Sequence, residues 1–200
     1  MMSGRPATAT AAFRGPVPVV SGRRWERPVA GVDAREPAGE RLADPAKRLE
    51  RARALAWRAL NRRDRTELEL RGILAEKRVA PEEADVVVRE LLDGGFVDDV
   101  AFAQRFAEDR RRLDAWGAER IGCRLRALGV APEHVAAALG ERGHDGELEA
   151  ALELLRRRFP AVPETARDRD RALGMLVRKG YELELAHDAL RRHAGVDEQY

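Results

Sequence analysis

The chain has 200 residues, and its 37 Lys plus Arg stand against 35 Asp plus Glu, a formal net charge of +2 that excludes a uniformly basic, histone-like protein. Charged residues make up 36% and aromatic residues 5%, so a core must be built from Leu, Val and Ala, which suits helices and suits β-sandwiches poorly. The length holds one large domain or two small ones, no run approaches the ~18 apolar residues of a membrane span, and one cysteine, Cys123, cannot close an internal disulfide, as fits a reducing cytoplasm.

Residues 1–44 are rich in Pro, Gly, Ala and Arg and have almost no periodicity, which predicts a disordered tail. Arg5, Arg14 and two prolines around its apolar patch argue against a secretory signal. Trp25 reads as a stray aromatic in that tail in preference to a docking residue. Seven arginines and five acids there account for the whole net charge, leaving 45–200 neutral.

Beyond Pro45 the apolar residues recur every three or four positions and proline becomes scarce, the pattern of helices. The spacing predicts helices near 46–62, 67–78, 81–93, 99–114, 118–128, 132–140, 145–158, 167–179 and 182–193. Thr66 with Glu69 forms a capping box, Asp98 can cap the fourth helix, and Pro81 and Pro132 fall where a first turn tolerates a missing N–H. Gly94-Gly95, Gly129, Gly143 and Gly180 lie where helices should stop with positive φ.

A shift of 51 residues superposes the apolar positions. Leu74, Leu125 and Leu176 coincide, as do Val79, Val130 and Tyr181, then Val88, Leu139 and Leu190. Gly72, Cys123 and Gly174 form a small-residue set expected at close helix crossings. Several matches in one register favour an all-α chain of three tandem three-helix repeats over an irregular bundle, forming an elongated, slightly curved stack. The expected divisions are 45–95, 96–143 and 144–200.

Charge follows the same repeat. Residues 47–78 carry eleven bases and five acids, whereas 79–99 carry one base and seven acids. The balances are seven to four over 100–132 and one to six over 133–153, then eight to three over 154–181 and two to five over 182–200. The first two helices of each unit are therefore basic and the third acidic. Aligned basic helices would form a positive stripe for phosphates or an acidic protein groove. Alternatively the adjacent charges pair with each other, each exposed pair worth ~0–1 kcal/mol and implying no ligand. Arginine outnumbers lysine 34 to 3, which suits bidentate contacts, although a GC-rich genome gives the same bias.

Catalytic chemistry is not expected. No phosphate-binding loop, dinucleotide fingerprint, H-E-x-x-H or cysteine pair is present. His187 and His193, six residues apart, fall on opposite faces of a helix and cannot share a metal. Cys123 reads as packing in preference to a nucleophile, and Asp98-Asp99 as a helix cap in preference to a metal site. Neither metal nor cofactor is expected.

The segment Gly95-Phe96-Val97-Asp98-Asp99-Val100-Ala101-Phe102-Ala103-Gln104-Arg105-Phe106, then Arg110 and Trp116-Gly117-Ala118-Glu119-Arg120-Ile121-Gly122-Cys123-Arg124-Leu125, resembles the signature of the RecX family. Leu128 stands where that family usually has a base before Gly129-Val130, and Arg63-Asp64-Arg65-Thr66-Glu67-Leu68-Glu69-Leu70 resembles a weaker upstream motif; the likeness spans about 46–195. It implies a cytoplasmic regulatory protein that binds the RecA recombinase and its nucleoprotein filament, lies in the filament groove, and inhibits ATPase, strand exchange and co-protease activities, so modulating DNA repair. Direct contact with single- or double-stranded DNA is also implied for some members, and a monomer is expected.

Where motif and charge coincide, Arg110, Arg111, Arg112, Arg120, Arg124 and Arg126 are the expected partner contacts, with Arg71 and Lys77 as first-unit counterparts; not all can face one way. Phe96, Phe102, Phe106, Trp116 and Ile121 are expected to form the seam between the first two units. A helical module that binds nucleic acid without RecA, and a scaffold whose charges pair internally, are the competing readings.

Overall fold

A computed structural model describes residues 44–195, which form nine α-helices and no strand. They are α1 (Pro45–Leu60), α2 (Glu67–Glu76), α3 (Pro81–Asp93), α4 (Asp99–Asp114), α5 (Ala118–Ala127), α6 (Pro132–Gly140), α7 (Gly143–Arg158), α8 (Ala166–Lys179) and α9 (Leu183–His193). The expected tail lies outside the described residues except for Asp44, whose carboxylate accepts from the Ala46 N–H at 3.0 Å and caps α1.

Local chemistry sets the helix starts. The Thr66 hydroxyl accepts from the Glu69 N–H at 3.2 Å while the Glu69 carboxylate accepts from the Thr66 N–H at 3.4 Å, closing the capping box. Asp98 accepts from the Ala101 N–H at 2.9 Å, and Pro81 and Pro132 occupy first turns. Two glycines differ from expectation. Gly94 keeps φ −80°, so the left-handed turn falls on Gly95 alone, and Gly143 opens α7 where a helix stop was expected.

The helices pack in consecutive threes, each around its own apolar cluster. Leu74, Leu125 and Leu176 are all fully buried, one in each cluster. Full burial of such a side chain contributes ~2 kcal/mol before entropy is counted. Each of these leucines accepts through its carbonyl from the N–H five residues on: Val79 at 3.0 Å, Val130 at 3.1 Å and Tyr181 at 3.2 Å. The residues just before, Arg78, Gly129 and Gly180, are left-handed, with φ of 57°, 86° and 90°. This Schellman turn, made three times, is the physical content of the 51-residue period. At Tyr181, burial pushes the phenol up to about 12.

The small-residue set has another role than expected. Gly72 is exposed with open space around it, Cys123 is exposed, and a Cβ on Gly174 would meet only the Arg178 guanidinium. No helix crosses closely there.

Four of the five expected seam residues also differ from expectation. Phe102, Phe106, Trp116 and Ile121 belong to the core formed by α4, α5 and α6, and Phe96 packs edge-on against Trp57 at 4.7 Å. The first four pack within one unit, whereas Phe96, first residue of the 96–143 division, packs on Trp57 of the 45–95 division.

The seams are built from a helix start set against a Schellman turn. At the first, the Thr66 hydroxyl at the head of α2 donates to the Leu128 carbonyl at 2.6 Å, and the Glu67 N–H donates to the Asp99 carboxylate at 3.0 Å. At the second, the Gly117 N–H at the head of α5 donates to the Lys179 carbonyl at 2.8 Å, and the Ala118 N–H donates to the Glu147 carboxylate at 2.7 Å. Thr66 and Leu128 become Gly117 and Lys179 under the same shift of 51. In both seams a carboxylate from the next unit's first helix meets the positive end of the docked helix.

Candidate functional site

The basic residues sort by whether a carboxylate has claimed them. In the α1–α3 unit five have been claimed: Arg48, Arg53, Arg63, Arg65 and Arg71. Arg71 donates to Glu67 at 2.9 Å and pairs with Asp85 of α3; those two hydrogen bonds, Asp85 first, hold its guanidinium above its ordinary pKa. Arg48 reaches Glu83 at 2.6 Å and Arg53 reaches Glu90 at 2.8 Å, again from α1 to α3. The Arg53 hydrogen bond correspondingly holds the Glu90 carboxyl below its usual range. Internal pairing thus describes part of this unit, and such partly exposed pairs contribute only ~0–1 kcal/mol each. Lys77 caps the C-terminus of α2, is exposed, and makes no ion pair.

The basic run of α4 is mostly structural. Arg110 lies over Phe106 at 5.2 Å and Trp116 at 5.6 Å and pairs with Asp114 at 2.6 Å. Arg111 donates to the Ala138 and Leu139 carbonyls at 3.3 and 3.0 Å, satisfying the end of α6, and burial pushes its pKa down. Arg112 pairs with Asp109 at 3.1 Å on the surface.

On α5 the picture changes. Arg120 stacks over Trp116 at 4.3 Å and donates to the Arg178 carbonyl at 2.9 Å, tying α5 to α8. Arg124 is exposed without an ion pair. Arg126 is exposed too, its nearest polar contact being the Cys123 sulfur at 3.5 Å. Helix α8 goes further: Arg167, Arg169, Arg171 and Arg178 are all exposed and none has a carboxylate partner. The positions 167, 171 and 178 fall within about 40° of one another around the helix. Sequence reasoning missed these four. Their signal was the eight-to-three balance over 154–181, which has no motif attached to it.

The eight expected contacts therefore do not gather into one free surface. Arg124, Arg126 and Lys77 are unclaimed; Arg71, Arg110 and Arg112 are ion-paired; Arg111 and Arg120 hold backbone carbonyls. Among the described residues no group of three or more His, Cys, Asp or Glu is placed to hold a metal, and no helix is long and apolar enough to cross a membrane. His193 donates from Nε2 to the Phe159 carbonyl at 2.9 Å.

The fold is that of an all-helical tandem-repeat protein, with unclaimed arginines on α5 and α8. The family descriptions "RecX, first three-helix domain" and "RecX, second three-helix domain" match residues 52–91 and 98–139. The Regulatory protein RecX of Mycolicibacterium smegmatis is 30% identical over 160 residues, covering 77% of this chain and 85% of the relative. That of Trichlorobacter lovleyi is 37% identical over 134 residues, covering 65% and 87%. The crystal structure of RecX from Lactobacillus salivarius superposes with a TM-score of 0.67 at 16% identity, over 74% of this chain and 98% of that one, a likeness of fold. The chain belongs to the RecX family of regulatory proteins.

Proposed function

We propose that this protein binds the RecA recombinase and its DNA filament in the cytoplasm and lowers recombinase activity by occupying the filament groove, as a monomer of three repeats over 45–95, 96–143 and 144–200. The observation that carries the reading is the contrast in charge pairing. Five arginines of the α1–α3 unit, Arg48, Arg53, Arg63, Arg65 and Arg71, are claimed by carboxylates, whereas Arg124 and Arg126 on α5 and the arginines of α8 are free to meet an acidic surface. Successive units each offering a weak contact to a repeating partner add up to useful affinity. Of the expected residues, Lys77, Arg124 and Arg126 keep the role of direct contacts; Arg110, Arg111 and Arg120 act by holding α4, α5 and α6 in place.

RecA ATPase on single-stranded DNA, with sub-stoichiometric amounts of this protein across a range of salt, tests the proposal. Hydrolysis falls, and Arg124→Glu with Arg126→Glu weakens the inhibition without lowering the melting temperature. Unchanged hydrolysis at every salt concentration overturns it.

A further inference from the structure

A cavity of about 590 Å³ opens between α4 of the second unit and α7 of the third, beside the turn that joins α8 to α9. Its inner wall is built from the half-buried Arg111, Ala115, Arg142 and Ala150 and the buried Leu154 and Tyr181. The acids that line it, Glu108, Glu141 and Glu153, are all exposed, as are Arg112 and Arg157, so this mixed rim stands in water that screens it. The polar side chains of the inner wall are therefore two guanidiniums and one phenol.

The phenol breaks the repeat. Under the shift of 51, Tyr181 stands where Val79 and Val130 stand, so packing at this turn asks only for an apolar side chain. Tyr181 is 1% exposed, yet its hydroxyl makes no hydrogen bond with any described residue. Burial keeps that hydroxyl protonated, with Glu147 and Glu153 adding to the effect and Arg142 and Arg157 opposing it, and so leaves a donor in need of an acceptor. The guanidiniums are in a similar state. Arg111 donates only to the Ala138 and Leu139 carbonyls. Burial pushes its pKa down and the nearby Arg142 adds to that, which Glu147 and Glu141 only partly offset. Arg142 itself makes neither a hydrogen bond nor an ion pair with any described residue.

We infer that this cavity binds a small organic oxyanion, a phosphate ester or a carboxylate, with its charged head on Arg142 and the Tyr181 hydroxyl and its apolar part against Ala115, Ala150 and Leu154. A guanidinium fork and a hydroxyl are the donors such a head accepts from, and hydrogen bonds to an ionised acceptor are the strong ones. Arg111 supplies charge to the same place. A cation finds no carboxylate on the inner wall, and a neutral molecule leaves the charge of Arg111 as it was. The volume is that of a small-molecule pocket. Because Arg111 belongs to the second unit and Tyr181 to the third, an occupant joins the two units. The site goes beyond the RecA reading, since it needs neither recombinase nor nucleic acid.

The test is isothermal titration calorimetry of the full chain, alone and in low-salt buffer free of phosphate, with three matched probes: phenyl phosphate, benzoate and the neutral benzyl alcohol. At least one anion binds at one site per chain and raises the melting temperature by mass action, benzyl alcohol does neither, and the tighter anion identifies the head group. Tyr181→Phe weakens anion binding roughly tenfold, the loss of one hydrogen bond to a charged group. It does so without lowering the melting temperature of the unliganded chain, because the hydroxyl holds nothing within the protein. Arg142→Gln weakens binding at least as much. Arg89→Gln, the same change of charge at an exposed position on α3, leaves affinity within about twofold. The site is overturned if neither anion binds saturably, if benzyl alcohol binds as tightly, if Tyr181→Phe keeps full affinity, or if Arg89→Gln costs as much as Arg142→Gln.

Discussion

At the first seam a side-chain hydroxyl makes the contact to the left-handed turn, and at the second a backbone N–H takes its place, with the Arg120 and Lys179 side chains crossing beside it. Thr66 reaches the Leu128 carbonyl through its hydroxyl; at the equivalent place Gly117 reaches the Lys179 carbonyl through its own N–H. The shared requirement is a carbonyl presented by a left-handed turn and a carboxylate, Asp99 or Glu147, aimed at the docked helix. The difference lies in how close the chains come. A Cβ on Gly117 would sit 2.3 Å from the Gly180 oxygen, so the second seam is backbone against backbone. One docking geometry thus tolerates two chemistries, but only the glycine version forbids any enlargement.

That contrast is sharpest under substitution. Gly117→Ala forces apart two backbones that cannot rotate out of the way and costs about 3 kcal/mol, read as a drop in the denaturation midpoint. Thr66→Ala removes a helix cap and leaves the buried Leu128 carbonyl without its donor, costing about 2 kcal/mol; Thr66→Ser restores most of it. Arg78→Gly has the opposite sign. Arg78 holds the left-handed conformation that Gly129 and Gly180 hold elsewhere, and relieving it stabilises by about 1 kcal/mol.

The smallest effect is a pH dependence. At Asp99 burial is the largest influence and raises the pKa, opposed by the hydrogen bond from the Glu67 N–H. A folded pKa above the unfolded one means a contribution fully present below the unfolded value and lost as pH rises through the folded one. Asp99→Asn keeps an acceptor for Glu67 and removes that loss, so the variant gains relative to wild type as pH climbs from 4 to 7. The gain stays below about 0.5 kcal/mol because the site is partly screened by solvent. Chemical denaturation at several pH values reads it; a variant that loses ground over the same range breaks the account. Glu90 behaves in the opposite sense: held low by Arg53, its contribution disappears as pH falls.

Much of this was legible in the sequence, and the reason is local. Helix starts depend on residues such as Thr66, Glu69 and Asp98 acting within one turn, and the core leucines recur because a turn recurs. The seams were not legible because their donors and acceptors are mostly backbone groups, which carry no residue signature. Phe102, Phe106 and Trp116 suggested a seam by their prominence, yet large apolar side chains serve the nearest core first. The claimed or unclaimed state of an arginine depends on which helix lies opposite. Arg71 has Glu67 four residues before it and Asp85 of α3 opposite, whereas Arg124 has Arg120 four residues before it and no carboxylate opposite; only the first difference can be read from the sequence.

The residue at the left-handed position also governs how long such an array can grow. Where a helix docks, that position has no side chain: a Cβ on Gly129 would lie 2.4 Å from Leu68, and one on Gly180 would lie 2.3 Å from Arg120. Arg78 fills the matching place at the outer face of the first repeat, so no preceding repeat, from this copy or another, can seat there in the same manner. Head-to-tail stacking would otherwise propagate into an open fibre. A single guanidinium-bearing side chain therefore acts as the end stop of the series.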